Sequence, residues 1–124
     1  MDIGCGTGLS GQEIILKGFN NIDGSDFSKK MLEEAKLKKI YQSLFTLDLN
    51  KNNFKLDKSY DAILAAGVIS PNHAKPECLK NCLDYLKPNG IIIFSLNDHA
   101  YADKIFMTKI NKINETYELK ILEK

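Results

Sequence analysis

At 124 residues and 14.0 kDa, the chain is long enough for one hydrophobic core and short for a complete doubly wound enzyme, so residues 1–124 are read as a single domain. Seventeen cations against 16 acids give a formal charge of +1, which excludes the basic field of a nucleic-acid binder and a polybasic membrane anchor. Every one of the 17 cations is lysine, so no guanidinium fork is present, and an anion has to be held by backbone amides, lysine or hydroxyls.

The first strand is a stub ending at Ile3. Around it, Met1-Asp2-Ile3-Gly4-Cys5-Gly6-Thr7-Gly8 sets an acid and three alternating glycines where a strand should hand over to a helix. Glycine lets a ligand lie against bare backbone, so this density points to a nucleotide-sized group on the turn. A phosphate would be better served by a cation, whereas Asp2 suits a ligand carrying an ammonium or sulfonium group. The Walker A frame fails because Gly6 to Gly11 is followed by Gln12 and Glu13 instead of lysine. A dinucleotide frame fits Gly6, Gly8 and Gly11 and stays open as an NAD-binding alternative, beside a tight turn with no ligand.

Leu9 to Lys17 reads as a helix stopped at Gly18, and Asn21 to Ser25 as the second strand. Ser28 can cap a helix running through Ile40, with Met31, Leu32 and Ala35 inward, before a third strand over Ser43 to Leu47. A polar loop, Asn50 to Lys58, precedes Tyr60 to Ala66, apolar enough for a central strand buried on both faces. Pro76 fits the first turn of a helix with the stripe Cys78, Leu79, Cys82, Leu83 and Leu86, ended by Lys87-Pro88-Asn89-Gly90. Gly90 to Leu96 is the fifth strand, Tyr101 to Ile113 a helix and Thr116 to Leu122 a last strand. Such alternation specifies an α/β fold, a Rossmann-like doubly wound and mostly parallel sheet with helices on both faces, whose ligands gather at the carboxyl ends of the strands.

Three cysteines, no apolar leader and no run of about twenty apolar residues predict a cytoplasmic protein. Zinc on Cys78 and Cys82 would need two more ligands from Cys5, His73 or His99; with no second cysteine pair, core packing is expected and no metal site.

Asp26 ends the second strand, eighteen residues beyond Gly8, where an acid reaches both hydroxyls of a ribose and disfavours a 2′-phosphate. Asp48 ends the third, where its carboxylate and the Leu49 amide can read the amino edge of adenine. Each has a local alternative, Asp26 as a cap shared with Ser28 and Asp48 as the start of a turn. Two acids at successive strand ends beside the glycine turn favour the ligand.

Asp2-Ile3-Gly4-Cys5-Gly6-Thr7-Gly8, Gly24-Ser25-Asp26-Phe27-Ser28 leading to Met31-Leu32, Asp48-Leu49, Tyr60-Asp61 and Lys87-Pro88-Asn89-Gly90 together resemble the ordered motifs of class I S-adenosylmethionine-dependent methyltransferases, over residues 1–98. Within that superfamily, Ala66-Gly67-Val68, His73, the Pro76 helix and Ser95-Leu96-Asn97-Asp98 are most similar to the methyltransferase-like proteins of the Williams-Beuren region.

The resemblance implies S-adenosylmethionine as cofactor and S-adenosylhomocysteine as product. Gly4, Gly6 and Gly8 would pass beneath the methionine moiety and ribose, Asp2 would face the amino-acid end, Asp26 would hold the ribose hydroxyls, and Asp48 with Leu49 would meet adenine. Cys5 and Phe27, flanking these positions, belong to the same implied set, and Gly67 with Val68 would line the floor near the methyl group. Methyl transfer from a sulfonium is an in-line displacement in which alignment supplies much of the acceleration. For an acceptor protonated at neutral pH, the candidate base is His73, set against a surface histidine with no role.

Ser70-Pro71-Asn72-His73 departs at three of four positions from the motif of amino-methylating enzymes, so no nucleic-acid base is inferred. The expected acceptor is an unidentified small molecule, with no nucleic-acid or membrane partner, and the oligomeric state is not legible. The family pattern also has a helix and more strand before the acid and a closing antiparallel hairpin, so the chain reads as truncated at both ends, with an incomplete first strand. Low thermal stability and weak cofactor binding follow, and a catalytically inactive nucleoside-binding or regulatory module is the second functional reading.

Overall fold

Five short runs of extended chain, each followed by a turn and, except after the third, a helix, assemble into one sheet. The computed structural model describes residues 1–120. Strands β1 (Asp2–Ile3), β2 (Asp23–Asp26), β3 (Ser43–Thr46), β4 (Tyr60–Ala65) and β5 (Leu86–Phe94) lie in the order β3-β2-β1-β4-β5, and every pairing is parallel. The helices are α1 (Leu9–Leu16), α2 (Lys29–Leu37), α3 (Glu77–Leu83), α4 (Asp98–Ala102) and α5 (Lys104–Thr116). The expected Rossmann-like α/β sheet is present.

The strand order decides where a ligand can sit. From β1 the chain steps outward to β2 and β3, then crosses back to β4 on the other side of β1. That reversal opens a crevice at the carboxyl ends of β1 and β4, the place where sheets of this kind bind ligands.

Side chains alternate across a strand, so each face of the sheet has its own partners. Ile3, Ile63 and Ala65 point to one face, where Cys78, Leu79 and Cys82 of α3, Ala100 of α4 and Phe106 and Ile110 of α5 close the core. The two α3 cysteines are thus core residues, as expected, and burial pushes both thiols up, Cys78 to about 12. The other face carries Asp2, Gly24 and Leu64, with α1 reaching over it through Ser10.

Several sequence expectations are corrected. β4 is central but buried on one face only: Ala62 is exposed, and its neighbours Ile91 and Ile93 on β5 are 45% and 56% exposed. Leu86 belongs to β5 instead of the α3 stripe. It pairs with Tyr60, and Lys87-Pro88-Asn89-Gly90 then bulges before Ile91 rejoins Ala62, so the turn residues interrupt a strand instead of ending the helix, which stops at Leu83. The helix expected to reach Ile40 ends at Leu37, because Lys39 takes a left-handed φ of 55°. The helix expected over Tyr101 to Ile113 is two, since Asp103 leaves helical geometry and its Oδ1 accepts from Phe106 N–H at 2.9 Å, capping α5. Thr116 ends α5 and Tyr117 to Lys120 form no strand, so the last strand fails there, and the rest of that expectation lies outside the described residues. The polar loop before β4 is anchored by Phe54 and Leu56, both buried, with Phe54 stacked on Tyr85 at 6.4 Å.

Candidate functional site

The carboxyl ends of β1, β2, β3 and β4 enclose a cleft of about 510 Å³, within the range of small-molecule and cofactor sites. Its floor is Gly4, from the turn after β1, against Gly67 and Val68, from the turn after β4. Gly4 is left-handed, with φ +67°, and a Cβ there would collide with Val68, so any other residue is strained and has to displace that side chain. The Gly67 amide donates to Ser95 Oγ at 2.8 Å, which ties that turn to the end of β5.

Asp26 sits where the floor meets one wall. Its Oδ2 accepts from the Gly6 amide at 3.0 Å and its Oδ1 from the Ser28 amide at 2.9 Å, so a single carboxylate joins the glycine turn to the start of α2. Ser28 also caps α2, accepting from Met31 N–H at 3.3 Å. An ionised carboxylate has about four acceptor sites, so two remain for a ligand. Next to it, Phe27 lines the cleft with 72% of its surface exposed. Leu47, Asp48 and Leu49 continue this wall; the opposite wall is Asn72, His73 and Ala74. Asp48 Oδ1 accepts from the Asn50 amide at 3.0 Å, so the carboxylate does begin a turn, as its local alternative held, while still lining the cleft.

The structure therefore gathers Gly4, Asp26, Phe27, Asp48, Leu49, Gly67, Val68 and His73 around one space. Asp2, Cys5, Gly6 and Gly8 stand outside its lining and shape the turn from behind. Cys5 is buried, its thiol aimed at Gly6 O, and burial with the nearby Asp2 and Asp26 charges pushes it up to about 12, so it stays protonated. Leu47, Asn50, Asn72 and Ala74 line the cleft without having been singled out. Asn50 had a signal, its position two residues past the Asp48 strand end, which is the spacing of an Asx turn.

Asp2 is 1% exposed and lies beneath the turn. Its Oδ2 accepts from Ser10 Oγ at 2.8 Å and from the Tyr41 hydroxyl at 2.7 Å, while Oδ1 is buried without a partner among the described residues. Tyr41 reaches it through a slot that only glycines leave open. A Cβ on Gly11 would collide with the hydroxyl, one on Gly24 would lie 2.8 Å from the ring, and one on Gly8 3.2 Å from it. The third glycine of the dinucleotide-like frame is accounted for by this packing. Lys38 adds a second tie from the same segment, donating to Thr7 O at 2.6 Å.

Burial lifts the Asp2 carboxyl above its ordinary 3.8, with the Tyr41 and Ser10 hydrogen bonds pulling the other way. Because the folded value is the higher one, charging Asp2 opposes folding, and its share of stability is lost as pH rises from 3.8 through the raised value. Tyr41→Phe is expected to destabilise the fold by about 1–3 kcal/mol at neutral pH, the loss of one hydrogen bond to a buried carboxylate that keeps its bond from Ser10. In urea melts the deficit should shrink near pH 3, where the carboxyl is protonated in both states; a deficit independent of pH would remove Asp2 from the account.

Among the described residues no group of His, Cys, Asp and Glu is arranged to hold a metal ion, and no helix is long and apolar enough to cross a membrane. Residues 1–92 match the methyltransferase domain family. Methyltransferase-like protein 27 of Homo sapiens is 34% identical over 105 residues, covering 81% of this chain and 41% of its own length. Alpha N-terminal protein methyltransferase 1 of Dictyostelium discoideum is 32% identical over 117 residues, covering 88% of this chain and 42% of its own. The chain thus spans about two fifths of the length of these relatives. An S-adenosylmethionine-dependent methyltransferase from Clostridium acetobutylicum superposes with a TM-score of 0.66 at 24% identity, over 84% of this chain and 44% of that one. Sequence and fold agree: the chain belongs to the methyltransferase domain family and has the Rossmann-like fold of S-adenosylmethionine-dependent methyltransferases.

Proposed function

We propose that residues 1–124 form one S-adenosylmethionine-binding domain that transfers a methyl group to a small-molecule acceptor by in-line displacement. The observation that carries this reading is the Asp26 carboxylate, which joins the glycine turn to α2 and keeps acceptor sites at the cleft beside the exposed ring of Phe27. A nucleoside fits that pairing: hydroxyls of the sugar to Asp26, the base against Phe27, Leu47 and Leu49. Asp48 adds a second carboxylate at the base end. No lysine lines this cleft among the described residues, which suits a cationic sulfonium better than a 2′-phosphate.

When bound, the cofactor supplies an electrophilic methyl carbon on a positively charged sulfur. The chain's part is to bind and align. Gly4, Gly67 and Val68 form the floor, and the two turns are locked to their neighbours, so the reacting groups are held in fixed relation. His73 stands on the opposite wall with an exposed imidazole, available to take a proton from the acceptor. Three free cysteines, all buried, support a reducing, cytoplasmic setting.

Calorimetric titration with S-adenosylhomocysteine is expected to give saturable binding, and NAD none; the reverse preference would sink the reading in favour of a dinucleotide domain. Labelled methyl transfer into cell extract then separates an enzyme from a binding module. In that assay His73→Gln is expected to lower transfer about a hundredfold at neutral pH, as loss of a general base does, with adenosylhomocysteine affinity unchanged. Undiminished transfer would leave His73 a bystander.

A further inference from the structure

Two loops face each other across the cleft, and one side chain spans them. The loop after β3 carries Asp48 and Leu49, at the base end of the proposed nucleoside site; the loop after β4 carries His73. Asn50 donates through Nδ2 to His73 O at 3.1 Å and accepts at Oδ1 from the Lys75 amide at 2.9 Å. Its own amide donates to Asp48 Oδ1 at 3.0 Å. An unbroken series of hydrogen bonds therefore runs from a carboxylate on one wall to the backbone that presents the imidazole on the other.

The rest of the His73 loop closes without Asn50. His73 N–H donates to Ser70 O at 3.1 Å, Ala74 N–H to Val68 O at 3.0 Å, and Ser70 N–H to Ala74 O at 3.2 Å. These bonds form the loop, and Asn50 fixes where its tip stands relative to the opposite wall. An asparagine suits this task because its amide offers a donor and an acceptor at once, matching a carbonyl and an amide on the same strip of backbone.

We infer that Asn50 is a positioning residue: a ligand that engages Asp48 and Leu49 steadies the Asn50 turn and, through it, the loop that carries His73, so that cofactor binding orders the acceptor side of the cleft. The inference rests on the nucleoside reading above. It implies a sequence of events in which the cofactor binds first and the acceptor meets a loop already in place.

Residue-resolved hydrogen exchange tests it at the Lys75 amide, whose acceptor among the described residues is Asn50 Oδ1. In the unliganded chain, Lys75 is expected to exchange about fivefold faster in Asn50→Ala than in the wild type, the factor that one ordinary hydrogen bond represents. Saturating S-adenosylhomocysteine should slow Lys75 in the wild type by a similar factor and leave it unchanged in Asn50→Ala, although that variant still binds the ligand. Asn50→Asp keeps the acceptor for Lys75 and should restore the unliganded protection. Protection of the Ile63 amide, deep in the sheet, reports whether each variant is folded, and Asn50→Leu, of similar shape but unable to accept from Lys75, takes the place of the alanine variant with the same expected rates if that variant is not. Equal slowing of Lys75 in wild type and Asn50→Ala overturns the coupling alone; so does equal exchange in the unliganded chains. Absence of adenosylhomocysteine binding to the wild type overturns the nucleoside reading and the coupling with it.

Discussion

Asp26→Ala is expected to weaken S-adenosylhomocysteine binding by about a hundredfold or more, since two charge-assisted hydrogen bonds to a sugar are each worth about 1.5–3 kcal/mol. The carboxylate also holds two backbone amides, at Gly6 and Ser28, so the fold itself should lose about 1–2 kcal/mol. The two effects separate cleanly. Calorimetry on the folded variant reads the first and a urea melt the second. Asp26→Asn keeps one carbonyl acceptor and can serve one amide, so it should recover part of the stability while remaining a poor binder. An Asp26→Ala variant that binds adenosylhomocysteine within threefold of the wild type would place the nucleoside elsewhere.

Gly4→Ala should be the most damaging single methyl group in the chain. A left-handed conformation costs an L-residue about 1–2 kcal/mol, and forcing a Cβ into a packed neighbour a further ~1–3 kcal/mol. Gly4 incurs both, because its φ is +67° and Val68 occupies the space. A loss of about 2–5 kcal/mol is therefore expected in chemical denaturation, a large part of what a domain of this size has to lose. The double variant Gly4→Ala/Val68→Ala divides the two contributions: shortening Val68 relieves the collision and leaves the backbone strain, so partial recovery is the expected coupling. Full recovery would show that the φ at this position carries no penalty, and no recovery that Val68 is not the obstacle.

The parts of this molecule that were legible in its sequence are those whose chemistry is local. Three glycines in five residues, an acid at the next strand end and a serine two residues beyond it need no tertiary knowledge to be read as a turn, a cleft-lining carboxylate and a helix cap. Strand alternation located β2, β3 and β4 to within a few residues for the same reason. What escaped depends on distant partners. Leu86 continues the apolar spacing of α3 and precedes a run that reads as a turn; only its pairing with Tyr60 makes it a strand residue, and a bulge absorbs the turn. Tyr41 gave no signal because its role requires three glycines from two other elements to stand aside. Asn50 showed only the Asx-turn spacing from Asp48 in a loop rich in lysine and asparagine, and its meaning comes from Lys75 and His73 across the cleft. Asp103 was hidden by the apolar periodicity that continues through the break between α4 and α5.

The glycine turn is held before any ligand arrives. Gly4, Gly6 and Gly8 already sit at positive φ, Asp26 grips Gly6 from one side and Lys38 grips Thr7 from the other. A recognition loop that is rigid in advance spares the incoming molecule the entropy of ordering it. The glycine turn should then add no slow phase of its own to capture, and differences in affinity among nucleoside analogues should be found in how long each one stays.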